Sequence, residues 1–317
     1  MTSLFRSAGR TDIGKARRRN EDAILVRDEA GLWAVADGLG GHADGDYASR
    51  RIVERLASLP RTGDVLDFVE AVEDALAEVN TELRRVAQAR GVDLIGSTVV
   101  VLVHGGAITL CGWAGDSRGY CCDQGRLIPI TRDHLYGVSA DAERWRGGPM
   151  QMQPAGGVLT RAIGADVALF MDWTVALNRP GMQFVLCSDG VNKEMSDAEI
   201  ESACSQHPAP GEVLDQIFAI SLQRGARDNL SAVVVSLADD APAEGSAPDE
   251  QVRAINQDLS ELDDAHRLGE IARDVYRARR RRLLAGLVEA GRAPAHGKAI
   301  RKRSRWRFGW KRWFRRR

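Results

Sequence analysis

The first 240 residues alternate between short apolar segments and longer amphipathic ones. Apolar runs over 23–28 and 32–37, separated by a turn at Gly31, predict two short strands. The segments 47–59 and 65–89 place apolar residues three and four positions apart, which predicts two helices. The remaining predicted elements are strands over 97–104, 107–115, 118–123, 170–175, 183–189 and 231–237, and a helix over 211–224.

This order of elements predicts the fold class. Two helices separate two groups of strands, and more helical sequence falls between the late strands. That arrangement favours an α+β domain with antiparallel sheets over a regular alternation of parallel strands and helices.

The amino-acid composition changes near residue 238, and this change predicts a division of the chain into four segments. Residues 1–240 form the main domain, and 241–250 have the Ala, Pro and Gly bias of a linker. Residues 251–290 are charged and favour helix, and 291–317 form a basic tail rich in Arg and Trp. The helical segment carries a loose apolar series at Val252, Ile255, Leu259 and Leu262.

The net charge is zero, with 44 basic and 44 acidic residues among 317, but the charge is unevenly distributed. Residues 241–317 hold 20 basic and 10 acidic residues, a net charge of +10, so 1–240 carry −10. Five cysteines without a C-x-x-C pair argue against a disulfide scaffold or a zinc ribbon, and favour buried, reduced thiols. Neither a signal peptide nor an apolar run of roughly 18 residues is found, so we expect a cytoplasmic protein.

Five acidic residues lie at predicted strand ends, where a carboxylate is held on a rigid element. A single Asp-Gly pair is common in turns. Several carboxylates that converge on one place repel one another, however, and bound cations would relieve that repulsion. Ligation by oxygen alone favours Mg²⁺, Mn²⁺ or Ca²⁺ over Zn²⁺. Arg17 adds a planar fork suited to a phosphate group. The five acidic residues are Asp22, Asp37, Asp116, Asp189 and Asp228.

Seven segments in register carry a family resemblance. They are 11–22, 35–49, 96–98, 114–120, 157–164, 187–190 and 227–235. Together they resemble the motif series of the metal-dependent protein phosphatases, the type 2C serine/threonine phosphatases, in their bacterial form. The amino-acid sequence of residues 188–194 is similar to that of phosphatases encoded with bacterial type VI secretion systems. The resemblance implies a four-layer α-β-β-α sandwich with a dinuclear Mn²⁺ or Mg²⁺ site between two antiparallel sheets.

The resemblance also implies metal ligands. Asp37 would bridge the two metals, and the carbonyl of Gly38 would ligate one of them. Asp189 and Asp228 would bind the other metal. Asp116 matches an acidic residue that helps to hold a third, weaker ion in bacterial relatives.

Further roles follow from the same resemblance. Glu21 and Asp22 would act through metal-bound water, and Arg17 would hold the substrate phosphate. Thr98 matches a position near the metal waters, and Asn229 would support Asp228. A hydroxide that bridges two divalent ions exists near neutral pH and can attack phosphorus in line. We therefore predict hydrolysis of phosphoserine and phosphothreonine in proteins, which reverses a bacterial kinase; the alternative is a catalytically weak metal-binding scaffold localised by its tail.

Three places depart from the family pattern or decide specificity. Leu39 stands where eukaryotic relatives have a histidine that acts as general acid, and His42 is not assigned that role. Lys193 replaces an aspartate that many relatives have, and we expect it to point outward. The segment 136–157 is an expected substrate flap, whose Trp145, Met150 and Met152 either contact a phosphopeptide or, as we favour, pack on the body.

The basic tail, 298–317, holds 11 Lys and Arg residues, no acidic residue and five aromatic residues. Trp306, Trp310, Trp313 and Phe314 would share one face of a helix. This composition is typical of an interfacial helix on anionic lipid, which would place the protein at the inner face of the membrane. Docking on an acidic partner or on the acidic body ranks second, and nucleic-acid binding third.

Overall fold

The computed structural model describes residues 5–39, 44–136, 158–238 and 249–290, which build two antiparallel sheets. In spatial order, the first sheet consists of β1 (Phe5–Asp12), β13 (Leu230–Leu237), β12 (Gln183–Cys187), β7 (Arg118–Asp123) and β8 (Arg126–Pro129). The second consists of β11 (Asp172–Leu177), β6 (Ile108–Ala114), β5 (Val99–His104), β3 (Leu32–Leu39) and β2 (Asp22–Arg27), with the short β4 (Gly96–Ser97) also paired to β3. A separate pair joins β9 (Leu135–Tyr136) to β10 (Val158–Leu159).

Helices cover the outer face of each sheet. The helices are α1 (Gly45–Ala57), α2 (Val65–Arg90), α3 (Asp189–Glu194), α4 (Asp197–Gln206), α5 (Pro210–Arg224), α6 (Asp249–Arg267) and α7 (Arg273–Ala290). Buried side chains of α1, α2, α6 and α7 share one core with the second sheet, and those of α3, α4 and α5 share another with the first. The predicted four-layer α-β-β-α sandwich, with its helical C-terminal extension, is therefore confirmed.

A third core lies between the two sheets and sets their relative position. Trp33 and Leu102 of the second sheet pack with Phe184 and Val233 of the first, and all four are almost fully buried. Phe5 meets Trp33 edge to face, with ring centroids 4.9 Å apart, a favoured aromatic geometry. Because side chains from both sheets interdigitate here, the strand ends that carry the acidic residues are held in one arrangement.

The strand β1 was not predicted from the sequence. It pairs with β13 along its whole length, from Phe5 opposite Leu237 to Asp12 opposite Leu230. Most of its side chains remain partly or fully exposed, so its apolar pattern is weak. The strand is defined by its long-range partner, which a local pattern does not reveal.

The helix α6 covers the edge strand β11. Asn256 accepts a hydrogen bond from the Val175 N–H at 2.8 Å and donates one to the Val175 carbonyl at 2.9 Å. Asp263 accepts from the Trp173 N–H at 2.9 Å. These side chains satisfy main-chain groups that an uncovered edge strand would leave without hydrogen-bond partners, so α6 covers this edge of the second sheet.

Several predictions concern residues outside the described ranges, and they stay predictions. They are the flap residues Trp145, Met150 and Met152, the linker 241–250 apart from its last two residues, His42, and the tail. All five cysteines are free and buried, as predicted. None of the helices in the described part of the chain combines the length and apolarity that a membrane span requires.

Candidate metal centre

The acidic residues meet where the ends of the two sheets face each other. Asp22 of β2 lies directly opposite Asp37 of β3 in the second sheet. Ser188, which follows β12 in the first sheet, donates a hydrogen bond from Oγ to Asp22 Oδ2 at 2.8 Å. Ser188 Oγ also accepts from the Ser231 N–H at 3.1 Å. This serine links the sheets and places Asp189, the next residue, beside the Asp22–Asp37 pair.

Ser188 was missed by the sequence analysis. A hydroxyl residue directly before a helix is a common N-cap, and Ser188 does occupy the N-cap position of α3. Its side chain makes no capping hydrogen bond, however, because its hydroxyl is engaged by Asp22. The sequence signal was therefore present, but it pointed to helix capping.

The main chain of Asp37 is held by the segment that begins β5. The Asp37 carbonyl accepts from the Thr98 N–H at 2.8 Å and from Ser97 Oγ at 2.9 Å. Thr98 Oγ1 accepts from the Asp37 N–H at 3.3 Å and lies 2.7 Å from Ser117 Oγ. Ser117 belongs to the turn that carries Asp116, so Thr98 connects the two acidic positions.

Gly38 sits where another main-chain segment passes very close. A Cβ added at this position would lie 2.1 Å from the Gly45 carbonyl oxygen and 2.7 Å from that of Glu21. The Gly38 N–H donates to this Glu21 carbonyl at 3.1 Å. Only glycine fits between the loop before β2 and the start of α1.

Asn229 holds the loop that carries Arg17. Its Oδ1 accepts from the Glu21 N–H at 2.9 Å, and its Nδ2 donates to the carbonyls of Ile13 and Arg19, both at 2.9 Å. The predicted support for Asp228 comes from the Asn229 main chain, whose N–H donates to Asp228 Oδ1 at 2.9 Å.

Burial and mutual repulsion make the carboxylates costly to ionise. Burial, and then the charges of Asp22 and Asp189, raise the pKa of Asp37 well above its usual value. Burial raises the pKa of Asp22 to about 6, although the hydrogen bond from Ser188 opposes this. Burial followed by the Asp189 charge raises the pKa of Asp116 to about 6 as well. A cluster of this kind is stabilised by any positive charge placed among its members.

Two cationic side chains of the chain itself reach this cluster. The expectation that Lys193 points outward is wrong, because its Nζ lies 2.6 Å from Asp189 Oδ2 and 2.8 Å from Asp228 Oδ2. Arg17 Nη2 lies 2.8 Å from Asp228 Oδ1. Partial burial opposes the charged form of Asp228, but Lys193 and Arg17 lower its pKa overall. The attraction of both carboxylates for the ammonium draws the flexible lysine side chain inward.

The residues fit divalent cations by their donor chemistry. Asp22 Oδ1 and Asp189 Oδ1 are buried and lack a hydrogen-bond partner within the described part of the chain, which is costly unless something pairs with them. All donors are oxygens, the ligands that Mg²⁺ and Mn²⁺ prefer. As placed, no three His, Cys, Asp or Glu side chains in residues 5–39, 44–136, 158–238 and 249–290 stand close enough to hold a metal ion. Binding would therefore require the acidic side chains to move closer together.

Comparison with known proteins decides the family. A model of the protein phosphatase 2C family matches residues 11–173, which is more than half of the chain. The chain belongs to this family. The family predicted from the seven motifs is thereby confirmed.

Two solved structures resemble the chain over about three quarters of its length. PppA, described as a key regulatory component of the type VI secretion system in Pseudomonas aeruginosa, is 40% identical, with a TM-score of 0.67 over 74% of this chain and 98% of PppA. The catalytic domain of PstP in complex with two manganese ions is 28% identical, with a TM-score of 0.62 over 74% of this chain and 99% of that domain.

A curated relative is longer than this chain. The serine/threonine protein phosphatase PstP of Mycobacterium tuberculosis is 30% identical over 243 residues, which is 75% of this chain. The match spans 46% of PstP, so the chain covers about half the length of this relative.

Proposed function

We propose that this member of the protein phosphatase 2C family hydrolyses phosphoserine and phosphothreonine in proteins with the help of Mn²⁺ or Mg²⁺. The observation that carries the proposal is the convergence of carboxylates from both sheets around two buried carboxylate oxygens, neither of which has a hydrogen-bond partner among the residues that the structure describes. Two divalent ions bound there would make water nucleophilic near neutral pH and neutralise charge on the phosphate. Support comes also from the relatives, which are named serine/threonine phosphatases, and from the two manganese ions of one of them.

In this proposal, different acidic residues hold the metal ions and contact water. Asp37, Asp189, Asp228 and the Gly38 carbonyl would hold the two principal ions, and Asp116 would help to hold a third. Asp22 is anchored by Ser188 through one oxygen, which leaves Oδ1 available to accept a hydrogen bond from water.

Arg17 is the residue suited to the substrate phosphate. Its side chain is half exposed and lies on the Asp228 carboxylate, at the rim of the cluster. A guanidinium can engage two phosphate oxygens at once, so it would orient the phosphoryl group over the acidic residues. The Asp228 carboxylate would then keep the guanidinium in place, as it does in the structure.

Phosphorylated serine and threonine proteins are the proposed substrates, and a bacterial kinase is the proposed opposing enzyme. The likeness to PppA, a component of a secretion system, supports a regulatory role of this kind. The catalytically weak scaffold is not favoured. Although Lys193 stands where many relatives have an aspartate, the residues predicted for the two principal ions and for the phosphate are all present: Arg17, Glu21, Asp22, Asp37, Asp189 and Asp228.

The test is hydrolysis of a phosphothreonine peptide with and without Mn²⁺. We expect Asp37→Asn and Asp189→Asn to lower Mn²⁺-dependent turnover at least about 100-fold, since even the loss of an outer-shell partner of a metal costs roughly 10–100-fold. The matched control is Asp215→Asn, which removes a largely exposed carboxylate on α5 and should leave turnover unchanged. Full activity in Asp37→Asn or Asp189→Asn would refute the assigned site.

We also propose that the protein is cytoplasmic and that residues 298–317 bind the anionic surface of the membrane. The tail combines 11 basic residues with three tryptophans, and each basic residue near such a surface contributes about 1 kcal/mol. The test is flotation of the full-length chain with vesicles of phosphatidylglycerol or of phosphatidylcholine. We expect flotation with the anionic vesicles only, and its loss when Trp306, Trp310 and Trp313 become serine. Equal flotation of both proteins would refute the role of the tail, and retention of the native chain by single-stranded DNA alone would favour nucleic acid.

A further inference from the structure

The short helix α3 presents two opposite charges on one side. Asp189 is its first residue and Lys193 lies four positions later, a spacing that places two side chains on the same face of a helix. The Lys193 ammonium reaches beyond its own helix to Asp228, just before β13. One lysine therefore joins two carboxylates that the fold brings together from 39 residues apart in the chain.

This contact differs from an ordinary surface ion pair. The Asp189 and Asp228 side chains are 24% and 17% exposed, so solvent screens them only in part. Arg17 also contacts the Asp228 carboxylate, with Nη2 2.8 Å from Oδ1 and 3.0 Å from Oδ2. The ammonium thus contacts both aspartates, whereas the guanidinium contacts Asp228.

The lysine contacts two of the carboxylates that the proposed function assigns to the metal ions. Its Nζ lies within 2.8 Å of Oδ2 of Asp189 and Oδ2 of Asp228. A divalent cation at this position would have to approach the same two carboxylates, and an ammonium a few ångströms away would repel it. The two cations therefore compete for one pair of ligands.

We infer that Lys193 is a built-in counter-ion that a divalent cation must displace from Asp189 and Asp228, so that this chain binds metal more weakly than its carboxylates alone would allow. The inference rests on the proposed function, since it concerns the same metal centre. Two consequences follow. Removing the charge of Lys193 should tighten metal binding, and it should destabilise the metal-free protein because the two carboxylates lose their shared partner.

The first experiment measures binding of Mn²⁺ alone to the full-length chain by isothermal titration calorimetry, after treatment with EDTA. Lys193→Met removes the charge and keeps most of the aliphatic stem, and Lys193→Arg is the matched control that keeps the charge. We expect Lys193→Met to bind Mn²⁺ about 10-fold more tightly, within the range that groups around a metal ligand exert. Lys193→Arg should stay within about threefold of the native chain. Equal or weaker binding by Lys193→Met would overturn the inference.

The second experiment follows thermal unfolding of the same proteins in EDTA and in Mn²⁺. In EDTA, Lys193→Met should have a lower melting temperature than the native chain. Mn²⁺ should raise the melting temperature of Lys193→Met more than that of the native chain, because a ligand that binds the folded state more tightly stabilises it more. Lys193→Gln provides a second neutral variant, should the methionine disturb folding. An identical gain from Mn²⁺ in native and neutral proteins would overturn the inference and leave the proposed function intact. Absence of Mn²⁺ binding in every protein would overturn both.

Discussion

A buried arginine on the last described helix tests whether the C-terminal segment belongs to the fold. Arg280 of α7 is only 1% exposed and donates two hydrogen bonds to the Glu73 carboxylate of α2. Its guanidinium carbon lies 5.6 Å from the ring centre of Trp173 on β11. It also donates to Tyr276 Oη at 3.2 Å, which in turn donates to Asp263 at 2.7 Å. This one side chain therefore joins α7, α2 and the edge of the second sheet.

The expected cost of Arg280→Ala follows from this environment. Removing one partner of a buried ion pair costs about 3–5 kcal/mol, because the other charge stays buried without compensation. The Glu73 side chain is 11% exposed, and Arg277 remains 3.3 Å from its Oε2, which compensates the charge in part. We therefore expect a loss of about 3 kcal/mol in the free energy of unfolding. At about 2 °C per kcal/mol for a large domain, the midpoint should fall by roughly 6 °C.

The assay is urea unfolding of the full-length chain, followed by tryptophan fluorescence and circular dichroism, together with thermal melts. The matched control is Arg279→Ala, which removes the same charge from an exposed position on the same helix and should change the stability by less than about 0.5 kcal/mol. If Arg280→Ala costs no more than Arg279→Ala, α7 does not contribute to the stability of the folded unit and our reasoning is refuted.

Other predictions test the burial and packing of single residues. Burial, and then the charge of Arg61, lower the pKa of His104 to about 4. Between pH 6.5 and pH 4, His104 is therefore protonated in the unfolded chain but neutral in the folded chain. This His104 contribution to stability is complete above pH 6.5 and is lost as the pH falls towards 4, by roughly 2 kcal/mol between pH 7.5 and 5. In urea titrations at pH 7.5 and pH 5, the free energy of unfolding of His104→Gln should fall by roughly 2 kcal/mol less than that of the native chain. An equal fall in both proteins would refute the lowered pKa of His104. Gly38→Ala should abolish the proposed phosphatase activity and lower the melting temperature, because its Cβ would lie 2.1 Å from the Gly45 carbonyl oxygen; a native melting temperature would contradict this prediction. Gly286→Ala, on an exposed stretch of α7 with nothing within 4 Å of the added Cβ, should instead stabilise the protein by about 0.5–1 kcal/mol in the same melts.

The local sequence was enough to predict the long helices and the kind of atom, carboxylate oxygen, that the metal centre offers. The predicted helix over 65–89 corresponds to α2, whose start is set by a capping box between Asp64 and Asp67 and whose end is set by Gly91 in the left-handed region. Apolar side chains at helical spacing on one face, together with these caps, need no distant partner to be recognised. The apolar series that begins at Val252 likewise predicted the buried face of α6.

The tertiary structure alone decided which groups meet. Ser188 contacts Asp22 across 166 positions of the chain, and Lys193 turns inward because the pairing of β12 with β13 in the first sheet brings Asp228 within its reach. The strand β1 exists because β13 is available to pair with it. A periodic pattern reports only which face of an element is buried, whereas attraction between charges depends on distances that are set when separate elements pack. For that reason the sequence predicted a set of carboxylates for the metal centre, and only the fold showed that Lys193 contacts two of them.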